Sequence, residues 1–102
     1  MEPLSFMKPS IALQEHRDAI RRIVGRHRAR NPRVFGSVAL GCDTEQSDLD
    51  ILVDPTPETT LFDIGAIRHE LLLLLGVPVD VLTPKALPEK FRATVLAEAV
   101  AV

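Results

Sequence analysis

Ser47-Asp48-Leu49-Asp50-Ile51-Leu52-Val53 sets two carboxylates two residues apart in an otherwise apolar run. In a β-strand such residues share a face, so Asp48 and Asp50 project together while Leu49 and Ile51 face the opposite layer. An acid inside an apolar strand is costly unless it is hydrogen-bonded or ionised against a cation. A third acid, Asp80, stands between Val79 and Val81 in a second such run. If the two strands are neighbours, the three carboxylates converge as an oxygen-only cluster. Crowded anions raise one another's pKa unless a divalent cation compensates. Hard oxygen donors with no Cys or His close by favour Mg²⁺ or Mn²⁺ over zinc. Two such ions can clamp an in-line displacement at phosphorus. Asp48 and Asp50 would then hold both, and Asp80 would complete the site nearest the nucleophile.

Gly36-Ser37 supplies the matching anion site. Glycine lets a backbone approach phosphates closely, and the amides of the following turn, with the Ser37 hydroxyl, can donate to phosphate oxygens. Gly-Ser alone is a common turn. Its weight comes from the frame Gly-Ser, ten residues, Asp-x-Asp, which at ordinary residue usage arises by chance in roughly one chain in a thousand of this length. Transfer of a nucleotide from a triphosphate fits this layout best.

The elements that must position these residues are legible in outline. Pro9-Ser10 reads as a helix start with Ser10 as N-cap, and Ile20, Ile23, Val24 and His27 repeat at helical spacing. That helix is expected to end near Asn31-Pro32, since proline disfavours helix in the residue before it. Arg33–Ser37 reads as a short strand, Val38–Gly41 as one helical turn, and Asp48–Asp54 as a second strand closed by Pro55 and Pro57. Thr59 or Thr60 caps a helix to about Leu75, with Ile64, Ile67, Leu71, Leu74 and Leu75 inward and Gly76 as C-cap. Leu71–Leu75, five leucines in a row, is explained by burial between layers or by an apolar surface that docks a partner. Val77–Thr83 reads as a third strand, and Glu89 to about Ala99 as a last helix with Phe91 and Val95 inward. The order predicts a small α/β domain, one unit over residues 1–102 with a flexible stretch at 1–9.

Composition bounds the rest. At 102 residues with 46% apolar and 25% charged side chains, the chain has room for one modest core. It has no Trp or Tyr, which argues against a base-stacking platform for single-stranded nucleic acid. Cys42 is the only cysteine; it excludes an internal disulfide, suits a reducing cytosol, and reads as a small buried or half-buried hydrophobe. No segment approaches a membrane span and the N-terminus lacks a signal peptide's pattern, so the cytoplasm is the expected location. The net charge of −2 hides an asymmetry. Arg17, Arg21, Arg22, Arg26, Arg28, Arg30 and Arg33 fall within seventeen residues, whereas Val34–Thr83 holds nine acids against Arg68 alone. Such blocks could neutralise a polyphosphate on one side and hold cations on the other, or the arginines could form a solvated helix face. His16, His27 and His69 pair with no Ser or Cys in a triad and read as structural or surface residues.

These motifs resemble the nucleotidyltransferase superfamily of the DNA polymerase β type, and within it the minimal nucleotidyltransferase antitoxins of prokaryotes. The resemblance is carried by Val34-Phe35-Gly36-Ser37-Val38-Ala39-Leu40-Gly41, by Ser47–Val53, and by Val79-Asp80-Val81-Leu82-Thr83-Pro84. It implies a short mixed β-sheet flanked by helices, and an ATP- and Mg²⁺-dependent adenylyltransferase. It also implies a partner, a HEPN-family ribonuclease toxin neutralised by transfer of AMP to a tyrosine. Gly36 and Ser37 would carry phosphate binding, and Asp48, Asp50 and Asp80 the metals. One position departs from the pattern: Leu40 stands where members often carry arginine, and Arg33 or Lys85 are the cations that could compensate. The chain is too short for a second, acceptor-gripping domain, so the acceptor would bring its own surface. Three other readings compete: a catalytically idle antitoxin that masks its toxin through the leucine-rich helix, nucleotide transfer to a small-molecule hydroxyl, and DNA binding by the arginine-rich helix.

Overall fold

The computed structural model describes residues 7–102. Its elements are α1 (Pro9–Glu15), α2 (Arg17–Arg26), β1 (Ala29–Phe35), α3 (Ser37–Leu40), β2 (Leu49–Pro55), α4 (Leu61–Leu75), β3 (Val79–Leu82), a 3₁₀ turn (Pro84–Ala86), α5 (Glu89–Glu98) and β4 (Val100–Ala101). The four strands form one sheet in the order β3-β2-β1-β4. β2 and β3 are parallel, as the α4 crossover between them requires. β1 runs antiparallel to both β2 and β4. This is the short mixed sheet with flanking helices that the sequence motifs imply.

Alternation along β2 builds the core. Leu49, Ile51 and Val53 are fully buried on one face, with Val34 of β1 and Val79 and Val81 of β3 beside them in the same cluster. Ile20, Ile23 and Val24 of α2 and Ile67, Leu71 and Leu75 of α4 cover that face. Burying each such aliphatic side chain contributes about 1.5–3 kcal/mol. Leu52, on the other face, is also fully buried, and the 3₁₀ turn packs against its strand.

The first helical region departs from the expected single helix. His16, at φ −132° and ψ 23°, breaks it into α1 and α2. Lys8 rather than Ser10 is the N-cap of α1, with Pro9 at its first position, where a missing N–H costs nothing. Pro9 is buried; of the expected flexible stretch, residues 1–6 lie outside the described residues. α2 ends at Arg26, Arg28 turns into the left-handed region at φ 65°, and β1 begins at Ala29, four residues before the expected start. Asn31-Pro32 does not end a helix. Asn31 is left-handed at φ 54°, and the pairing with β2 shifts register between Arg30 and Arg33. Such a bulge admits proline within a strand.

α4 follows its expected pattern. Thr60 and Asp63 form a reciprocal capping box, and Gly76 closes the helix at φ 70°. Within the five leucines Leu71 and Leu75 are buried, while Leu73 is 71% exposed. α5 differs from expectation: it buries no residue, and Phe91 is 54% exposed with Val95 only half-buried. Polar bonds hold it instead, since the Arg92 guanidinium donates to the carbonyls of Pro84 and Leu87, both at 2.9 Å, and of Lys85 at 3.3 Å. Among the described residues no helix is long and apolar enough to cross a membrane.

Two carboxylates make this scaffold acid-sensitive. The Thr60 N–H, with Arg28 behind it, holds Asp63 below its ordinary value of 3.8. Hydrogen bonds from His27 and then Arg26 hold Glu70 below 4.5. Depressed acids stabilise the fold above their ordinary values and lose that contribution as pH falls through the folded values. The melting temperature should therefore hold down to about pH 5 and fall steadily below about pH 4, with a shallower acid limb in Asp63→Asn. Thr60→Ala at pH 7 should cost about 1 kcal/mol, lowering the midpoint by roughly 4–8 °C. Melts followed by circular dichroism across pH check both.

Candidate active site

β1 ends at Phe35, and Gly36 turns the chain at φ 71° and ψ −146° into α3. The turn needs glycine for two reasons. A side chain at that φ is strained, and a Cβ on Gly36 would lie 2.5 Å from Asp50 Oδ2. The glycine thus admits the Asp50 carboxylate beside the turn at which the sequence motif places phosphate. α3 begins at Ser37, whose first-turn amides have no intrahelical acceptor. Left-handed Gly41, at φ 73°, ends it after four residues.

The three acids lie where the strands meet. Asp50 is paired with Phe35 of β1 on one side and with Asp80 of β3 on the other. The parallel register puts Asp50 and Asp80 side by side on one face of neighbouring strands, as expected. Asp48 is exposed and belongs to the loop before β2, which begins at Leu49 and not at Asp48. Asp50 is half-buried and Asp80 exposed. Burial, then the charges of Asp80 and Asp48, raise the Asp50 pKa from 3.8 to about 6. The carboxylates are therefore within electrostatic reach of one another. They do not close on one point: among the described residues no three His, Cys, Asp or Glu side chains form a ready-made ion cage. An all-oxygen donor set of three mutually repelling anions fits a hard divalent cation, and Asp48, Asp50 and Asp80 are the residues that could hold one.

Four arginines of the first third make ion pairs within the fold. Arg26 pairs with Glu70 at 2.6 Å, Arg28 with Asp63 at 3.2 Å, Arg33 with Asp54 and Arg21 with Asp18. Arg33 also donates to the Asn31 carbonyl, so its guanidinium is engaged by that carbonyl and by Asp54, and Leu40 is 61% exposed. Among the described residues no ion pair involves Asp48, Asp50 or Asp80. Of the histidines, His27 bonds Glu70 between α2 and α4, His16 sits at the helix break and His69 is exposed on α4. Cys42 is exposed, contrary to expectation, because it follows the Gly41 turn into an open loop. Nothing in the polar run Cys42–Ser47 marks Asp43, yet its side chain is buried.

The nucleotidyltransferase domain family matches residues 13–102, which include the turn, the loop and all three acids. The chain belongs to this family. A nucleotidyltransferase of Thermococcus cleftensis, named protein adenylyltransferase MntA, is 36% identical over 100 residues, covering 98% of each chain. A chain of Methanocaldococcus jannaschii, provisionally named a protein adenylyltransferase, is 36% identical over 78 residues, or 76% of this chain and 84% of its own. A solved structure provisionally named a minimal nucleotidyltransferase superposes with a TM-score of 0.82 at 40% identity, over 91% of this chain and 95% of that one. A toxin–antitoxin crystal structure with AMP-PNP shares the fold at 17% identity, with a TM-score of 0.70 over 82% of this chain and 69% of that one. The expected fold and family resemblance are borne out, and the protein is a nucleotidyltransferase.

The contact between Gly36 and Asp50 can be tested by a double-mutant cycle. Gly36→Ala should destabilise by about 1–3 kcal/mol through its positive φ and the clash. In an Asp50→Ala background the clash disappears and only the backbone strain remains, giving a coupling of about 1 kcal/mol. Asp50→Asn, which removes a half-buried charge facing two others, should melt no lower than the parent at pH 7 without divalent cations. Urea unfolding of the four proteins reads the cycle.

Proposed function

We propose that this nucleotidyltransferase is the antitoxin of a toxin–antitoxin pair and transfers AMP from ATP to a hydroxyl of its toxin. The observation that carries the reading is the register pairing of Asp50 with Asp80, with Asp48 and the Gly36-Ser37 turn beside them. Relatives named protein adenylyltransferases support it across almost the whole chain. So does a toxin–antitoxin structure with AMP-PNP that shares the fold. The finer reading is that the toxin is a HEPN-family ribonuclease and the acceptor a tyrosine.

In this mechanism the amides after Gly36 and the Ser37 hydroxyl donate to the triphosphate oxygens. Asp48 and Asp50 would hold two Mg²⁺ ions, or Mn²⁺ in their place, and Asp80 would complete the set. Bound metal would neutralise phosphate charge and lower the pKa of the attacking hydroxyl. That oxygen bonds the α-phosphorus, the bond to the bridging β-phosphate oxygen breaks, pyrophosphate leaves, and the hydroxyl proton passes to solvent at the open site. Asp48 and Asp80 are exposed, so an acceptor presented on another protein's surface can reach them. That openness favours a protein over a small molecule as acceptor.

Incubation with α-labelled ATP, Mg²⁺ and the product of the neighbouring gene should label that product. Chelation should abolish labelling, and Asp50→Ala should reduce it by about 100-fold or more. A second reading, neutralisation by binding alone, is favoured by the exposed Leu73 in the leucine run. It predicts that Asp50→Ala still silences the toxin while Leu73→Glu does not; the adenylyl-transfer reading predicts the reverse.

A further inference from the structure

The loop that joins α3 to β2 is polar and largely exposed, except at Asp43, which is 8% exposed. Asp43 Oδ2 accepts the Ser10 N–H at 2.9 Å, across 33 positions of chain. Ser10 lies in the first turn of α1, where amides lack intrahelical acceptors and a carboxylate is favoured. α1 has no side-chain cap from its own N-cap residue, Lys8. Asp43 therefore caps α1 from a distant loop, through a charge-assisted bond shielded from solvent.

The other bonds of this loop are local. The Cys42 N–H donates to the Ser37 carbonyl at 3.0 Å and fastens the loop to the end of α3. The Thr44 N–H donates to Ser47 Oγ at 2.8 Å, and the Ser47 N–H to the Thr44 carbonyl at 3.0 Å, closing the tip as a turn. The bond from Asp43 reaches across to another layer. α1 also lies beside α3, since Ser10, Val38 and Ala39 line one groove of about 240 Å³.

We propose that Asp43 is a positioning residue for the nucleotide site. By capping α1 it fixes the loop leading from Ser37 to Asp48, and so fixes the separation between the phosphate-binding turn and the first carboxylate. The use of that separation rests on the adenylyl-transfer reading; the anchoring itself does not. Groups one layer behind a metal-holding carboxylate commonly change affinity or activity by about 10–100-fold.

The test compares three variants of the whole chain with the parent. Asp43→Ala removes the acceptor. Ser10→Pro removes the donor in the first turn of α1, where no intrahelical bond is lost, and the protection of β1–β3 controls for distortion at Pro9. Asp43→Asn retains an oxygen that can accept the bond. In hydrogen exchange of the unliganded protein, the first two should exchange amides 42–48 about ten-fold faster, with β1–β3 as protected as in the parent. Asp43→Asn should stay near the parent. In the transfer assay Asp43→Ala should raise the KM for Mg·ATP about ten-fold with a smaller change in kcat, and Asp43→Asn should recover most of it. Unchanged exchange at 42–48 overturns the proposal, as does loosening spread over the whole sheet with KM unaltered. A parent that transfers no AMP defeats the adenylyl-transfer reading alone, because the exchange result still decides whether Asp43 holds the loop.

Discussion

Asp50 is a half-buried carboxylate in a central strand, and the neighbouring structure is arranged around the direction in which it points. Its direction is set by residues with no chemistry of their own. Leu49, Ile51 and Val53 are buried against α2 and α4, and the period of a strand then sends Asp50 to the opposite face. A slip of one residue would turn these three side chains out and drive Asp50 and Asp54 into the core. The hydrophobic core therefore fixes the orientation of the acid as well as stabilising the fold.

The same constraint explains the neighbours on each side. The residue after β1 lacks a Cβ, and the Asp50 carboxylate lies where one would stand; this residue, Gly36, then opens α3 beside it. On the other side the parallel register with β3 delivers Asp80. Placing three anions together opposes stability, as the raised Asp50 pKa records. On the proposed reading, binding of a cation-bearing ligand needs that charge, the familiar conflict between stability and activity. The remaining charges make the contrast clear. Arg26, Arg28 and Arg33 reach acids brought to them from later in the chain, Glu70, Asp63 and Asp54. Three of the seven arginines are thus neutralised by acids of the other charge block, and Arg21 by Asp18 within its own helix.

Much of this was legible in the residues, for a physical reason. Periodicity reports which side of an element faces the core, so the β2 alternation and the buried stripe Ile67, Leu71 and Leu75 could be read directly. Capping and turn chemistry are local, so Thr60, Gly76 and the α3 turn could be read too. The failures are of another kind. The break at His16 and the bulge at Asn31-Pro32 are backbone choices made by tertiary packing, and proline marked a strand irregularity where a helix end was expected. Phe91 appeared to be core by its type, but α5 is held by Arg92 and leaves the ring largely in solvent. The bond from Ser10 to Asp43 joins residues 33 apart, and no local pattern announces such a pairing.

The site's openness determines what the protein requires from others. Two of the three acids are exposed, and among the described residues no further layer covers them. An in-line displacement at phosphorus benefits from excluding water, because each charge–charge contact strengthens as the dielectric falls. An uncovered site is a poor catalyst for transfer to a small hydroxyl that arrives with its own solvent shell. It is better suited to an acceptor whose protein surface closes over the carboxylates as it docks, supplying the missing wall along with the nucleophile. On the proposed reading, the acceptor's own surface supplies the wall that the exposed carboxylates lack.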